Sequence, residues 1–216
     1  MNKSQLDNFI TKYTLGGEIK STKWTSNGDS LSTRFISGDK SVVGNVVLSK
    51  FNHLSPCELG VYNTGQLSSL LSVLGDDVEV SLSQSGDKFI SMEFEDTNRK
   101  TKSKYMLSDL SVIPTPPALK NLPDTFELGI KVDAYFINTF ISGKGALAEA
   151  ETFTILTENN ETKIVIGYAS IASNRVTIPV ETTKYQDIEP ISFNANMFAS
   201  ILNANKDCES ATLEVS

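Results

Sequence analysis

The chain has 216 residues, of which 26 are acidic and 19 basic, and its formal net charge is −7. This acidic balance argues against a protein that holds nucleic acid by charge alone. No apolar run approaches the roughly 20 residues that a membrane helix needs, and the first residues lack the apolar core of a secretory signal. We therefore expect a cytoplasmic protein without a membrane partner, long enough for one large domain or two of about 100 residues.

The first part of the chain predicts one short helix followed by strands. The helix predicted for residues 4–13 has an apolar stripe, its Ser4 and Asp7 resemble a capping box, and Gly16 and Gly17 end it. Three strands are then predicted, separated by hairpin-like turns, at residues 19–24, 30–36 and 42–48.

Residues 58–83 predict a strand, a short helix and a second strand. We expect Thr64 to cap this helix, because its hydroxyl can accept an orphan amide N–H of the first turn. We expect Gly75 to end it, because glycine adopts the left-handed conformation found past many helix ends. The apolar stripe has helical spacing and consists of Leu67, Leu70, Leu71 and Leu74. The strands predicted after this helix are residues 78–82, 89–94 and 101–107.

Residues 113–123 contain four prolines, which exclude a helix or a central strand. We interpret this segment as an extended linker between two domains. The predicted division is a first domain at 1–113, a connector at 114–124 and a second domain at 125–216.

The second half repeats the same pattern. A strand at residues 126–132 precedes a helix that Asp133 caps and that Gly143 and Gly145 end, and a further helix is capped by Asn194. The remaining predicted strands are residues 151–157, 163–169, 175–181, 191–193 and 211–215. The pattern predicts an α+β fold of two similar domains, each with two short helices packed on hairpin-built antiparallel sheets.

In this half only one predicted strand follows the second helix, whereas three predicted strands follow the second helix of the first half. Because an open sheet edge is costly, we expect either a truncated product, about two strands short, or a partner that covers the edge.

The sequence contains no recognisable catalytic constellation. The single histidine, His53, has no nucleophile or carboxylate nearby, and Cys57 and Cys208 have no metal or redox spacing. The loop around Lys144 lacks the spacing of a phosphate-binding loop. We therefore expect no enzyme activity, no metal and no cofactor.

The charges are placed unevenly along the chain. Of the carboxylates, only Asp7 and the capping Asp133 fall within the predicted helices, whereas surface helices usually carry many Glu and Lys pairs. Helix faces with so few carboxylates would tolerate a polyanion without binding it tightly, or they could lie at a domain interface. The basic cluster at residues 99–104 favours either a nucleic-acid or subunit contact or the protection of a sheet edge by charge.

Two segments resemble those of a known family. Residues 61–77, VYNTGQLSSLLSVLGDD, and 191–203, ISFNANMFASILN, are similar to the corresponding strand–helix segments of T-even-type bacteriophage DNA sliding clamps. The resemblance covers nearly the whole chain in architecture and these two segments in sequence.

The resemblance implies a homotrimeric ring with helices lining the hole and sheets outside. Such a ring is a processivity factor in DNA replication: it tethers the DNA polymerase to double-stranded DNA, is opened by an ATP-driven clamp loader, and works in the cytoplasm of the infected host. It is held on DNA topologically, so its contacts are weak and independent of sequence. The DNA-facing residues implied in this way are Lys3, Lys12, Lys20, Lys131, Lys144, Lys206, Gln66, Asn138 and Asn196.

The resemblance also implies two further contacts. The strand at residues 101–107 would pair with residues 175–181 of the next subunit, through Lys102, Lys104, Tyr105, Arg175, Thr177, Ile178 and Val180. Ile113, Leu119 and Leu122 would flank an apolar pocket for the peptide tails of partner proteins. The alternatives are a phage structural or interaction protein of the same architecture that does not bind DNA, and an enzyme without recognisable motifs.

Overall fold

A computed structural model describes residues 1–117, 123, 125–169, 171 and 173–216. The chain divides into two compact units, Met1–Ala118 and Leu119–Ser216. Within the described residues it is an α+β protein with four helices and four antiparallel sheets built from hairpins, as the sequence predicts.

The first unit has two helices and two sheets. Its helices are α1 (Lys3–Thr14) and α2 (Thr64–Ser72). Its strands are β1 (Thr22–Ser26), β2 (Ser30–Ile36), β3 (Val43–Ser49), β4 (Cys57–Val61), β5 (Val78–Ser85), β6 (Lys88–Asp96) and β7 (Lys102–Met106). They form one sheet in the order β3-β2-β1-β4 and another in the order β5-β6-β7.

The second unit has the same kinds of element. Its helices are α3 (Ala134–Ala146) and α4 (Ala195–Ala204). Its strands are β8 (Leu128–Val132), β9 (Thr152–Glu158), β10 (Glu161–Ile166), β11 (Val176–Val180), β12 (Thr182–Lys184), β13 (Ile191–Asn194) and β14 (Ala211–Val215). The sheet orders are β11-β10-β9-β13 and β12-β8-β14.

The two units repeat one another in connectivity. In each four-stranded sheet, three consecutive strands form hairpins, and the strand that leads into the second helix pairs beside the first of them. Each of the four helices is capped by an Asn or Asp side chain, from Asn2, Asn63, Asp133 and Asn194. The repeat is therefore present in the strand pairing and in the caps, although the sequences of the halves differ.

The helices pack through an apolar stripe that starts four residues after each cap. In α1 the stripe places Leu6, Phe9 and Ile10 at four, seven and eight residues after Asn2, and all three are buried. In α3 the residues at these spacings are also apolar, namely Ile137, Phe140 and Ile141. Because residues three and four apart share one face of a helix, each helix turns this stripe towards the core of its unit and leaves the opposite side outside.

A buried hydrogen-bond chain joins α1, α2 and the first sheet. The Trp24 indole N–H donates to the hydroxyl of Tyr13, which donates to the hydroxyl of Thr64, both at 3.2 Å. Thr64 in turn donates to the carbonyl of Lys20 at 3.1 Å. Burial raises the pKa of Tyr13, so its hydroxyl stays protonated.

Two predicted caps are wrong by one or two residues. The carboxamide of Asn63, not the hydroxyl of Thr64, accepts the amide of Gln66, because the Thr64 hydroxyl is turned inward to Tyr13. Asn2, rather than Ser4 with Asp7, caps α1. The predicted caps at Asp133 and Asn194 are confirmed.

The predicted helix ends at Gly75 and at Gly143 with Gly145 are also wrong, whereas Gly16 and Gly17 do follow the end of α1, with φ values of 73° and 102°. Helix α2 ends at Ser72, and Gly75 lies beyond it, where its amide donates to the buried carboxylate of Asp96 at 2.8 Å. Gly143 and Gly145 lie inside α3, and a Cβ on Gly143 would be 3.0 Å from Val176. Both Gly75 and Gly143 therefore serve close packing and not a left-handed turn.

We expect Tyr13→Phe to lower the free energy of unfolding by about 1–2 kcal/mol, because it leaves the buried Trp24 N–H without an acceptor and removes the bond that Tyr13 donates to Thr64. Urea unfolding followed by Trp24 fluorescence measures this change. The matched control is Tyr62→Phe, which removes an exposed hydroxyl and should have little effect. Equal effects of the two substitutions would contradict the role given to the Tyr13 hydroxyl.

Candidate nucleic-acid interface

The exposed positions of all four helices carry no charged side chain. They are Ser4, Gln5, Asn8 and Thr11 in α1, Gly65, Gln66, Ser69 and Ser72 in α2, Ala134, Tyr135, Asn138, Ser142, Gly145 and Ala146 in α3, and Asn196 and Asn203 in α4. We call this set the uncharged helical surface. Helices α1 and α2 pack against each other, and so do α3 and α4, so each unit presents part of this surface on a helix pair.

One carboxylate lies within the helices, on Asp7 of α1. Its side chain is half-buried, and burial raises its pKa while the nearby ammonium of Lys3 lowers it. The helices therefore place one partly shielded carboxylate near their surface, in a chain with 26 acidic residues.

Two lysines of the predicted DNA-facing set bind helix ends instead. The Lys3 ammonium donates to the carbonyls of Leu74, at 2.7 Å, and Leu71, at the end of α2. The Lys144 ammonium donates to the carbonyl of Ala148 at 2.8 Å, just past the end of α3. Both charges lie where the helix dipole favours a cation. Because the Lys144 side chain is only 8% exposed, we remove it from the predicted surface.

The other members of the predicted set differ in their environments. Lys206 is exposed just after α4, and Lys20 is exposed in the segment between α1 and β1. Lys12 is half-buried on α1, and the Lys131 ammonium pairs with Glu181 at 2.9 Å. The three amides are exposed on three different helices, as Gln66, Asn138 and Asn196. Gln66 thus lies on the helix pair of the first unit, and Asn138 and Asn196 lie on the helix pair of the second unit.

The two strands of the predicted subunit contact are both edge strands. Strand β7 ends the order β5-β6-β7, and β11 ends the order β11-β10-β9-β13. The amide of Leu107 donates to Ile90 of β6, so by alternation Lys102, Lys104 and Met106 turn their backbone groups to the open side. An edge strand in this state can pair with another strand.

Two residues predicted for this contact lie in the unit cores. Tyr105 is 3% exposed and its hydroxyl accepts the amide N–H of Asn63, and Ile178 is 2% exposed. Their side chains face inward because neighbouring residues of a strand point to opposite faces. Among the other predicted residues, Arg175 and Thr177 are exposed, and Val180 is half-buried.

Both edges also carry features that disfavour strand pairing. The ammonium groups of Lys102 and Lys104 pair with Glu95 and Glu93 on β6, at 2.9 and 2.8 Å. Strand β11 contains Pro179, and a proline leaves the sheet ladder intact when its nitrogen faces the open side. The open edge of β11 therefore lacks one hydrogen-bond donor, which the sequence analysis missed.

The predicted partner pocket is only partly described. Leu119 and Leu122 lie outside the described residues, and Ile113 is buried, so it does not line an open pocket. Close to it in the first unit is a cavity of about 430 Å³, which is within the size range of ligand sites. Its lining is Glu58, Gly60, Asp87, Lys88, Phe89, Ile90, Leu107, Ser108, Asp109 and Leu110.

An ion pair lies at this cavity. The Lys88 ammonium donates to Asp109 at 2.6 Å and, with the amide and hydroxyl of Ser111, holds the pKa of that carboxyl well below its usual range. A second cavity of about 280 Å³ lies beside Pro114, Thr115 and Pro116, where Arg34 donates to the carbonyl of Pro117 at 2.7 Å. The start of the connector is thus fastened to the first sheet between two cavities.

The single histidine, His53, is exposed, and its ring lies edge-on to that of Phe51, with 5.2 Å between the ring centroids. Within the described residues, no group of three or more His, Cys, Asp and Glu side chains is placed to hold a metal ion, and no helix is long and apolar enough to cross a membrane.

Comparison of the sequence with models of known protein families gave no match, and a search of curated proteins gave none either.

We expect Lys144→Met to lower the free energy of unfolding by about 1 kcal/mol, because the carbonyls at the end of α3 lose a charged donor. Thermal unfolding measures the change. Lys206→Met, which alters an exposed lysine just after α4, is the matched control and should leave stability nearly unchanged. A neutral Lys144→Met would show that the ammonium contributes nothing to the helix end.

Proposed function

We propose that this chain is a subunit of a DNA sliding clamp, a ring that tethers the replicative DNA polymerase to duplex DNA. The observation that carries the proposal is the uncharged helical surface, which recurs on both helix pairs of an acidic chain. The repeated connectivity of the two units supports it, because a ring of repeated modules can present equivalent helix pairs to a common centre.

The mechanism follows from the placement of charge. Carboxylates opposite phosphates would repel DNA, and dense lysines would hold it in place. Neutral amides and hydroxyls such as Gln66, Asn138 and Asn196 can exchange hydrogen bonds with water and phosphate at little cost. A closed ring then stays on duplex DNA by topology and can still slide along it.

The open edges of β7 and β11 would supply the subunit contact, with Lys102, Lys104, Arg175, Thr177 and Val180 beside it. Three copies would then close the ring. The cavity of about 430 Å³ near Ile113 is our candidate for a contact with the peptide tail of the polymerase or the clamp loader. Its apolar residues, Phe89, Ile90 and Leu107, would take the apolar side chains of such a tail.

A second function fits the features that protect the edges. The ion pairs on β7 and Pro179 on β11 favour a chain that does not pair with copies of itself, such as a phage structural or interaction protein that does not enclose DNA. The solution mass separates the two functions: a trimer favours the clamp, and a stable monomer favours the interaction protein.

We expect the protein to be retained on duplex DNA only when the DNA offers no free end. Linear duplex is fixed to a surface by one end, the protein is allowed to thread on, and the other end is blocked with a bulky protein before washing. Retention should persist on blocked DNA and be lost when a restriction enzyme cuts it. Equal retention on blocked and unblocked DNA would rule out topological binding.

We expect the double variant Gln66→Glu with Asn138→Glu to thread onto this DNA much less than the parent chain at low salt and to recover as salt rises, because screening weakens repulsion between carboxylates and phosphates. The matched control is Gln84→Glu, which adds a carboxylate at an exposed position of β5. If Gln84→Glu has the same effect, total charge decides binding and the helical surface has no special role.

A further inference from the structure

The outer face of the first sheet carries two cations side by side. Trp24 of β1 is buried, so its neighbour Lys23 points outward. Arg34 of β2 also points outward, because Thr33 and Phe35 on either side of it are buried. Lys23 and Arg34 are aligned directly opposite each other, which places their Cβ atoms about 4.5–5.5 Å apart. Like charges in this position are destabilising, so the folding of the sheet does not explain the pair.

The backbone beneath this pair is fixed from the core side of the sheet. The buried hydroxyl of Thr22 donates to the carbonyl of Arg34 at 3.1 Å. The buried hydroxyl of Thr33 donates to the carbonyl of Lys23 at 2.9 Å. Because these bonds reinforce the pairing of β1 with β2, the two cations stay adjacent on the outer face.

The residues around the two cations neutralise them only in part. The Lys23 ammonium pairs with the carboxylate of Glu58 at 3.5 Å, and the Glu58 side chain is half exposed. The Arg34 guanidinium donates to the carbonyl of Pro117 at 2.7 Å, and it forms no ion pair with any residue that the structure describes. A guanidinium carries several N–H donors in a planar fork, so most donors of Arg34 are available to a ligand.

These groups line the cavity of about 280 Å³ beside the start of the connector. Thr25 and Ser32 on the sheet and Thr115 on the connector add hydroxyl groups to its lining, and Pro114 and Pro116 add an apolar wall. The volume lies just below the range of sites that hold drug-sized ligands. A ligand of a few atoms therefore suits this cavity better than a nucleotide.

The charge of the lining favours one class of ligand. Lys23 and Arg34 contribute two positive charges and Glu58 one negative charge, which leaves a net charge of +1. A singly charged carboxylate balances this charge, whereas a doubly charged phosphate would be repelled more strongly by Glu58. The planar fork of an arginine also matches the two oxygens of a carboxylate, and proline rings suit the carbon atoms of an organic acid.

We propose that this cavity binds a small organic carboxylate. The Arg34 guanidinium donates to both carboxylate oxygens, the Lys23 ammonium adds a second positive charge, and the carbon atoms of the ligand lie against Pro114 and Pro116. The carboxylate belongs either to a free organic acid or to an acidic side chain of a peptide. The inference does not depend on the proposed function, because it concerns one cavity within the first unit.

The test is an NMR titration of the 216-residue chain, in which sodium propionate replaces sodium chloride at constant ionic strength. The Nε–H signal of Arg34 and the backbone amides of Lys23 and Ser32 should shift and saturate, with a Kd in the millimolar range, as expected for so small a ligand. At a pH of about 8, where phosphate is doubly charged, sodium phosphate should bind at least threefold more weakly. Phosphate binding as tight as that of propionate would overturn the assignment to a carboxylate.

A second titration uses N-acetyl-aspartate amide, in which the carboxylate stands between two peptide groups. Tighter binding than that of propionate assigns the site to an acidic residue of a peptide, and weaker binding assigns it to a free organic acid. Both results support a carboxylate site. The proposal is overturned if neither compound gives saturable shifts at Arg34.

Substitutions at the cavity test the role of each charge. Arg34→Gln should weaken propionate binding at least tenfold, and Arg34→Lys, which keeps the charge without the fork, should weaken it less. Glu58→Gln should strengthen binding about threefold, because a repulsive charge is removed.

The matched control is Arg99→Gln, which alters an exposed arginine of the same unit outside the cavity and should leave the Kd unchanged. If Arg99→Gln weakens binding as much as Arg34→Gln does, the total charge of the protein attracts the anion, and the proposed site is wrong.

Discussion

The packing of each helix through one apolar stripe is the interaction on which the rest of the structure depends. Burying side chains such as Leu6 and Phe9 contributes about 1.5–3 kcal/mol each, so the stripe fixes which side of a helix meets the sheet. The opposite side is then left outside, whatever residues it carries. Its lack of charge is thus a separate property of the sequence, which packing does not require and which a function has to explain.

The hydrogen-bond chain from Trp24 through Tyr13 to Thr64 shows how the same packing orders the polar groups. The hydroxyl of Tyr13 is among the most deeply buried in the first unit, and it holds α1 and α2 in one position on the sheet. This use of Thr64 also moves the helix cap to Asn63. Local preference and tertiary contact compete here for one hydroxyl, and the buried contact wins because an unpaired buried group is costly.

Sequence patterns predicted most elements because alternation and helical spacing are local properties. The strand at residues 30–36 and the last strand were predicted with their observed bounds, since apolar and polar residues alternate in both. The three-residue strand β12 was missed, since it is too short to show a period. The sequence indicated which helix positions lack charge, but not that the ammonium groups of Lys3 and Lys144 bind helix ends, because those contacts depend on the folded chain.

The sheet edges set the strongest constraint on any assembly. An unpaired strand edge can join the subunits of a ring, but in a monomer it favours aggregation. We therefore expect the chain to protect the edges that it does not use and to leave open those that it does. Pro179 removes a donor from β11, and ion pairs with Glu93 and Glu95 shield β7. A contact through β7 and β11 must therefore draw on side chains as well as on backbone pairing, which suits an interface that opens and closes.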